Sequence, residues 1–110
     1  MSTIVQPPDL QIDLPLDRIA DFCRQWKIVK LEVFGSALRN DFSDTSDLDL
    51  LVTYADDARW SLIDHVGIQR RLTELLGRRV DLATRRSIEQ GHNWIRRREI
   101  LSSARTVYVA

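Results

Sequence analysis

Three features of the chain could do chemistry together. Gly35-Ser36 ends the apolar, β-branched run of Leu31, Val33 and Phe34, and ten residues later Asp47-Leu48-Asp49 opens the apolar run Leu50-Leu51-Val52. A glycine at a strand-to-turn junction lets backbone amides come close to a ligand, because no side chain intervenes. A short helix beginning at Ser36 would offer unpaired N–H groups and a positive dipole end to an anion. On a strand, residues two apart share a face, so Asp47 and Asp49 stand side by side while Leu48, Leu50 and Val52 face the other way. Two carboxylates that close repel unless one is protonated or a cation lies between them. Hard oxygen donors of this kind suit Mg²⁺, which is often shared with substrate phosphates. One end of the stretch is suited to phosphate and the other to the phosphate's metal.

A third carboxylate follows on the apolar run Arg78-Arg79-Val80-Asp81-Leu82-Ala83-Thr84, which reads as a strand. Neighbouring strands lie about 4.8 Å apart, so Asp81 beside Asp47 and Asp49 would complete a cluster of three. The other reading is that Asp81 pairs with Arg79 or Arg85 at a strand edge. Arg39, just past the Gly-Ser turn, either reaches a phosphate or pairs with Asp41 or Asp44. Asp44 itself reads as solvated.

Several elements must hold these residues in place. Leu16, Ile19, Ala20 and Cys23 recur at i, i+3, i+4 and i+7, which predicts an amphipathic helix to about Trp26, with Pro15 at its first position and Asp17 in its first turn. Ile28 to Phe34 follow as the first strand, and Ala37-Leu38-Arg39 as a one-turn helix. Ile68, Leu72, Leu75 and Leu76 predict a helix from about Trp60 to Leu76, with Gly77 as its stop and Gly67 as a weak point. Ser87 to Gln90 and Asn93 to Ala104 read as helical, with Trp94, Ile95, Leu101 and Ala104 as the buried side. Thr106 to Val109 has the propensity to add a last strand. Residues 1–13 read as a loose, polar lead-in with Pro7 and Pro8.

Length and composition limit the possibilities. At 110 residues there is room for one domain. The 44% hydrophobic and 29% charged content is that of an ordinary globular chain. No apolar run reaches membrane-spanning length, and Pro7, Pro8, Asp9 and Asp13 stand where a signal peptide needs apolar residues. The lone Cys23 lies on an apolar helix face, as buried filler, which agrees with a reducing cytoplasm. His65 has no second ligand at metal spacing and reads as a helix-face histidine. The net charge of zero conceals an asymmetry: residues 1–57 carry −6 and residues 58–110 carry +6. The basic half could neutralise a triphosphate, an RNA or an acidic partner. Fourteen of the 16 basic residues are Arg, whose planar fork matches phosphate oxygens, although a run such as Arg96-Arg97-Arg98 is most often a solvated face.

The pattern Gly-Ser, ten residues, Asp-x-Asp resembles the signature of the DNA polymerase β-type nucleotidyltransferase superfamily. In detail it is similar to the smallest members, the minimal nucleotidyltransferases that act as antitoxins beside HEPN-domain toxins. The likeness extends through Leu16-Asp17-Arg18-Ile19-Ala20-Asp21-Phe22-Cys23 and Leu75-Leu76-Gly77-Arg78-Arg79-Val80-Asp81-Leu82, from about Leu14 to the end. It departs at Asn40, where many members have glycine, though Asn tolerates the left-handed backbone that ends a helix.

The resemblance implies an α+β fold over residues 14–110: a small mixed β-sheet of about four strands, with helices packed on one face. The strand of Asp47 and Asp49 should lie beside that of Asp81. The implied reaction is transfer of AMP from ATP to a hydroxyl, with release of pyrophosphate. Gly35 and Ser36 would grip the β and γ phosphates, with Arg39 as a further nucleotide contact. Asp47 and Asp49 would hold the nucleotide's Mg²⁺, and with Asp81 a second ion near the attacking oxygen. Asp81 would also take or orient the acceptor's proton. The implied acceptor is a tyrosine of a HEPN toxin, with the chain as antitoxin. Neither membrane nor DNA binding is expected. A chain of this size lacks the domains with which larger transferases hold base and acceptor, so the partner or a second copy in a homo-oligomer must supply that surface. Two rivals stand beside this reading: a module that neutralises the toxin by complex formation alone, and a small-molecule nucleotidyltransferase resembling the aminoglycoside-modifying enzymes.

Overall fold

The computed structural model of the chain describes residues 2–39, 42–43 and 45–110, the side chain of Ser36 excepted. Its elements are β1 (Thr3–Ile4), α1 (Leu16–Gln25), β2 (Ile28–Phe34), a 3₁₀ turn (Gly35–Leu38), β3 (Leu48–Tyr54), α2 (Leu62–Leu76), β4 (Val80–Thr84), α3 (Arg85–Glu89), α4 (Trp94–Ser103) and β5 (Arg105–Val109). The strands form one sheet in the order β1-β5-β2-β3-β4. β3 and β4 run parallel and the other neighbours antiparallel, so the sheet is mixed and the class is α+β, as the sequence predicts. The expectations for Asn40, Asp41 and Asp44 lie outside the described residues. No helix among those residues is long and apolar enough to cross a membrane.

Strand alternation divides the sheet into two unequal faces. Leu31, Val33, Leu48, Leu50, Val52, Val80 and Leu82 pack with Ile19, Ala20, Phe22 and Cys23 of α1 and Ile68 and Leu72 of α2, forming the main core. Phe34 and Leu51 turn to the opposite face and meet Ile100 of α4, with Ile88, Leu101 and Ala104 at the margin. The expected helices on one face are α1 and α2; α3 and α4 cover part of the other. On α4 the expected buried side needs correcting. Trp94 and Ile95 are exposed, and Ile100 is the buried residue, because the stripe that meets the sheet comes from the helix's C-terminal half. Cys23 is fully buried, and burial pushes its thiol up to about 12, in keeping with a filler role.

Of the lead-in expected to be loose, residues 2–13 are tied down at several points. Thr3 and Ile4 pair with Val109 and Tyr108 as a fifth strand. The Gln6 side chain donates to the Ile12 carbonyl at 2.8 Å and accepts from the Leu14 N–H at 2.9 Å. The Gln11 N–H donates to the Ala37 carbonyl at 3.1 Å, bracing the 3₁₀ turn from behind.

Helix α2 does more than fill the core. Its start is fixed by a capping box between Ser61 and Asp64, and its end by Gly77 at φ 69°. His65, Gln69 and Thr73, spaced by one turn, lie along the outer edge of β4. Gln69 Oε1 accepts from the Leu82 N–H at 2.9 Å, Thr73 Oγ1 from the Val80 N–H at 3.2 Å, and His65 Nε2 donates to the Leu82 carbonyl at 2.7 Å. This assigns His65 as the Nε2–H tautomer, with Nδ1 accepting from the Tyr54 hydroxyl at 2.9 Å. These bonds occupy main-chain groups of an edge strand that would otherwise be open. Replacing Gln69 by Leu leaves the Leu82 N–H without its partner and should cost about 1–3 kcal/mol. Urea unfolding should show that loss, and amide exchange at Leu82 should accelerate more than at Leu50.

Candidate active site

The strand registers bring the candidate residues to one place. Asp49 pairs with Phe34 across the antiparallel β2–β3 ladder and with Asp81 across the parallel β3–β4 ladder. Phe34, Asp49 and Asp81 therefore share one rung. Because Gly35 follows Phe34, the turn that ends β2 is carried against the Asp49 side chain. A Cβ built on Gly35 would run into Asp49 Oδ2, and the Gly35 backbone is left-handed at φ 76°. Glycine is required there on both counts: the left-handed backbone, and space for the carboxylate.

Burial of the Asp49 carboxyl, then the charges of Asp81 and Asp47, raise its pKa above the ordinary carboxylate value, while Arg39 and Arg96 oppose the rise. The carboxylates thus feel one another, as the sequence spacing predicts. Asp81 is exposed on edge strand β4. Among the described residues neither Arg79 nor Arg85 pairs with it. Arg79 Nε donates instead to Asp47 Oδ1 at 2.9 Å, and Arg85 pairs with Glu32 at 2.6 Å and Glu89 at 3.1 Å. Glu32, buried on the central strand β2, and its partner Arg85 were missed in the sequence, where an isolated Glu between Leu31 and Val33 looks like an outward strand position.

Asp47 lies just before β3 rather than on it. Its segment is pinned to the entry of β4: Arg78 stacks over Phe42 at 4.6 Å and donates to the Ser46 carbonyl at 3.4 Å, and the Leu48 N–H donates to the Arg79 carbonyl at 2.9 Å. Among the described residues, no group of three or more His, Cys, Asp or Glu side chains is arranged to hold a metal ion. The expected three-carboxylate cluster is thus represented by Asp49 and Asp81 on one rung, with Asp47 turned to Arg79. The donor chemistry of the pair still fits a hard divalent cation, which would relieve the repulsion felt by Asp49. The Asp47–Arg79 pair is largely solvated, the kind of contact worth about 0–1 kcal/mol.

Beside Gly35 opens a cavity of about 450 Å³, bounded by Leu38 of the turn, Arg39 just after it, Arg96 and Ile100 of α4, and Asp9 and Arg105. Arg39 thus borders the same cavity as Gly35. The Ser36 hydroxyl lies outside the described atoms.

Two stability measurements check this geometry. Because the Asp49 pKa is raised, ionisation of Asp49 opposes folding: its favourable contribution is complete below the ordinary value of about 4 and is lost as pH rises through the folded-state value. Asp49→Asn should therefore melt a few degrees higher than the parent at pH 7 without metal, with the gain shrinking toward pH 4. Gly35→Ala should lose about 1–2 kcal/mol from its left-handed backbone alone. The same change should cost less in an Asp49→Ala background, a coupling that a double-mutant cycle by denaturant unfolding measures directly.

Comparison with known proteins shows the family of the chain. A family model described as a nucleotidyltransferase domain matches residues 16–107. A candidate protein adenylyltransferase of Methanocaldococcus jannaschii is 36% identical over 64 residues, 58% of this chain and 63% of that protein. The chain spans a little under two thirds of the length of the curated relatives it matches. A solved structure of a candidate minimal nucleotidyltransferase is 31% identical with a TM-score of 0.62, covering 81% of this chain and 85% of that one. A solved toxin–antitoxin structure with AMP-PNP shares the fold at 19% identity and a TM-score of 0.67, covering 88% of this chain and 75% of that one.

Proposed function

This chain belongs to the nucleotidyltransferase-domain family, and on that premise we propose that it transfers AMP from ATP to a protein hydroxyl. The acceptor in this reading is a tyrosine of a cognate HEPN-domain toxin, and the chain is that toxin's antitoxin. The observation that carries the reading is the single rung holding Asp49 beside Asp81, with the Gly35 turn packed against Asp49. On this reading, the phosphate-compatible turn and the two hard-oxygen donors serve one ligand.

In the proposed reaction the acceptor oxygen attacks the α-phosphorus in line. A new O–P bond forms, the bond to the oxygen bridging the α and β phosphates breaks, and pyrophosphate leaves. Asp81, exposed on the edge strand, takes or orients the acceptor's proton. The backbone of the Gly35-Ser36 turn and Arg39 hold the phosphate chain. Asp49, Asp81 and, once released from Arg79, Asp47 would hold Mg²⁺, which when bound offsets the charge of the triphosphate. Positioning and charge neutralisation dominate phosphoryl transfer, so the site needs no covalent nucleophile.

A second reading, a module that silences its partner by complex formation alone, draws support from Asp47 being engaged by Arg79. Asp81→Asn separates the two. Under the transfer reading the variant still binds the toxin but transfers AMP slower by orders of magnitude and fails to protect cells. Intact-mass measurement of the co-expressed toxin should then show added AMP, singly or in multiples, only with the parent protein. Protection by Asp81→Asn with an unmodified toxin decides for the binding module.

A further inference from the structure

The cavity beside Gly35 contains a cation to which no role has yet been given. Arg96 lies in the first turn of α4 and lines the cavity together with Gly35 and Arg39. Two arginines near it are otherwise engaged. Arg97 donates to the Glu89 and Gly91 carbonyls at 3.1 and 3.2 Å, and Arg105 pairs with Asp9 at 3.5 Å. The Arg96 guanidinium makes no ion pair among the described residues, although Glu99 also borders the cavity. A cavity of about 450 Å³ is within the size range of small-molecule sites. An arginine fork matches phosphate oxygens in a bidentate manner.

We infer that Arg96 is a phosphate-binding residue, reaching from α4 across the cavity to the phosphate chain of the nucleotide held at the Gly35-Ser36 turn. The inference rests on the nucleotidyl-transfer reading and extends it, since it makes α4 the second wall of the triphosphate site. One member of the Arg96-Arg97-Arg98 run thereby leaves the solvated face to which the sequence assigns it.

The test is calorimetric binding of ATP, AMP and inorganic tripolyphosphate, each with Mg²⁺, to the full chain and to Arg96→Gln, Arg96→Lys and Arg98→Gln. Loss of a charged hydrogen bond predicts that Arg96→Gln weakens ATP and tripolyphosphate by about 10–100-fold. AMP should change little, Arg96→Lys should recover part of the loss, and Arg98→Gln should match the parent. Equal weakening of AMP and ATP, or an equal effect of Arg98→Gln, overturns the inference. Tight ATP binding by the parent and Arg96→Gln alike overturns the inference and leaves the transfer reading standing. A parent that binds neither ATP nor tripolyphosphate overturns both.

Discussion

Asp49 and Asp81 are held at facing positions of a parallel strand pair, Asp49 partly buried and Asp81 exposed, and their like charges repel. Left to themselves the two side chains would move apart, and an edge strand such as β4 could peel away with one of them. The surrounding structure opposes this. Leu48, Leu50 and Val52 anchor β3 in the main core, and Val80 and Leu82 anchor β4 beside them. His65, Gln69 and Thr73 clamp the outer edge of β4 through its main-chain groups. The energy of the fold is in this way spent on keeping an unfavourable pair together, which is the condition a cation-assisted site requires.

The readable parts of this arrangement were those with a period. The apolar stripes of α1 and α2 and the alternation along β3 follow from side-chain geometry alone, and Gly77 marks its helix end for the same local reason. The pairing of β3 with β4 was legible only because the family resemblance indicated it. Spacing alone left Asp81 free to meet Arg79 or Arg85. The polar stripe on α2 was not legible, since side chains that bind the backbone of a neighbouring strand leave no hydrophobic pattern. Nor was the exposure of Trp94 and Ile95, because local periodicity cannot say how far a helix extends over its sheet.

The charge asymmetry of the sequence also acquires a spatial meaning. Basic residues from the second half of the chain are placed against acidic ones from the first: Arg79 with Asp47, Arg85 with Glu32 and Arg105 with Asp9. These contacts join elements distant in sequence, and the Glu32–Arg85 pair does so with the acid buried on the central strand β2. Removing Arg85 would leave the buried Glu32 with only the longer contact to Lys30 at 3.9 Å, whereas the exposed pairs can be exchanged for solvent or ligand at little cost.

The contact between Gly35 and the Asp49 carboxylate bears on how such a site decays. Read as a string, the glycine and the aspartates are separate letters that could drift one at a time. In three dimensions two of those letters are a single contact, and the glycine has a steric reason to stay only while the carboxylate occupies the space in front of it. A lineage that gave up the chemistry would first be free to shorten or neutralise position 49. Only afterwards would side chains become admissible at position 35, and the left-handed backbone would still slow their entry. Loss of the pair would then proceed in order, acid before glycine, so that a descendant keeping the glycine without the acid records a recent loss of chemistry and one lacking both an older loss.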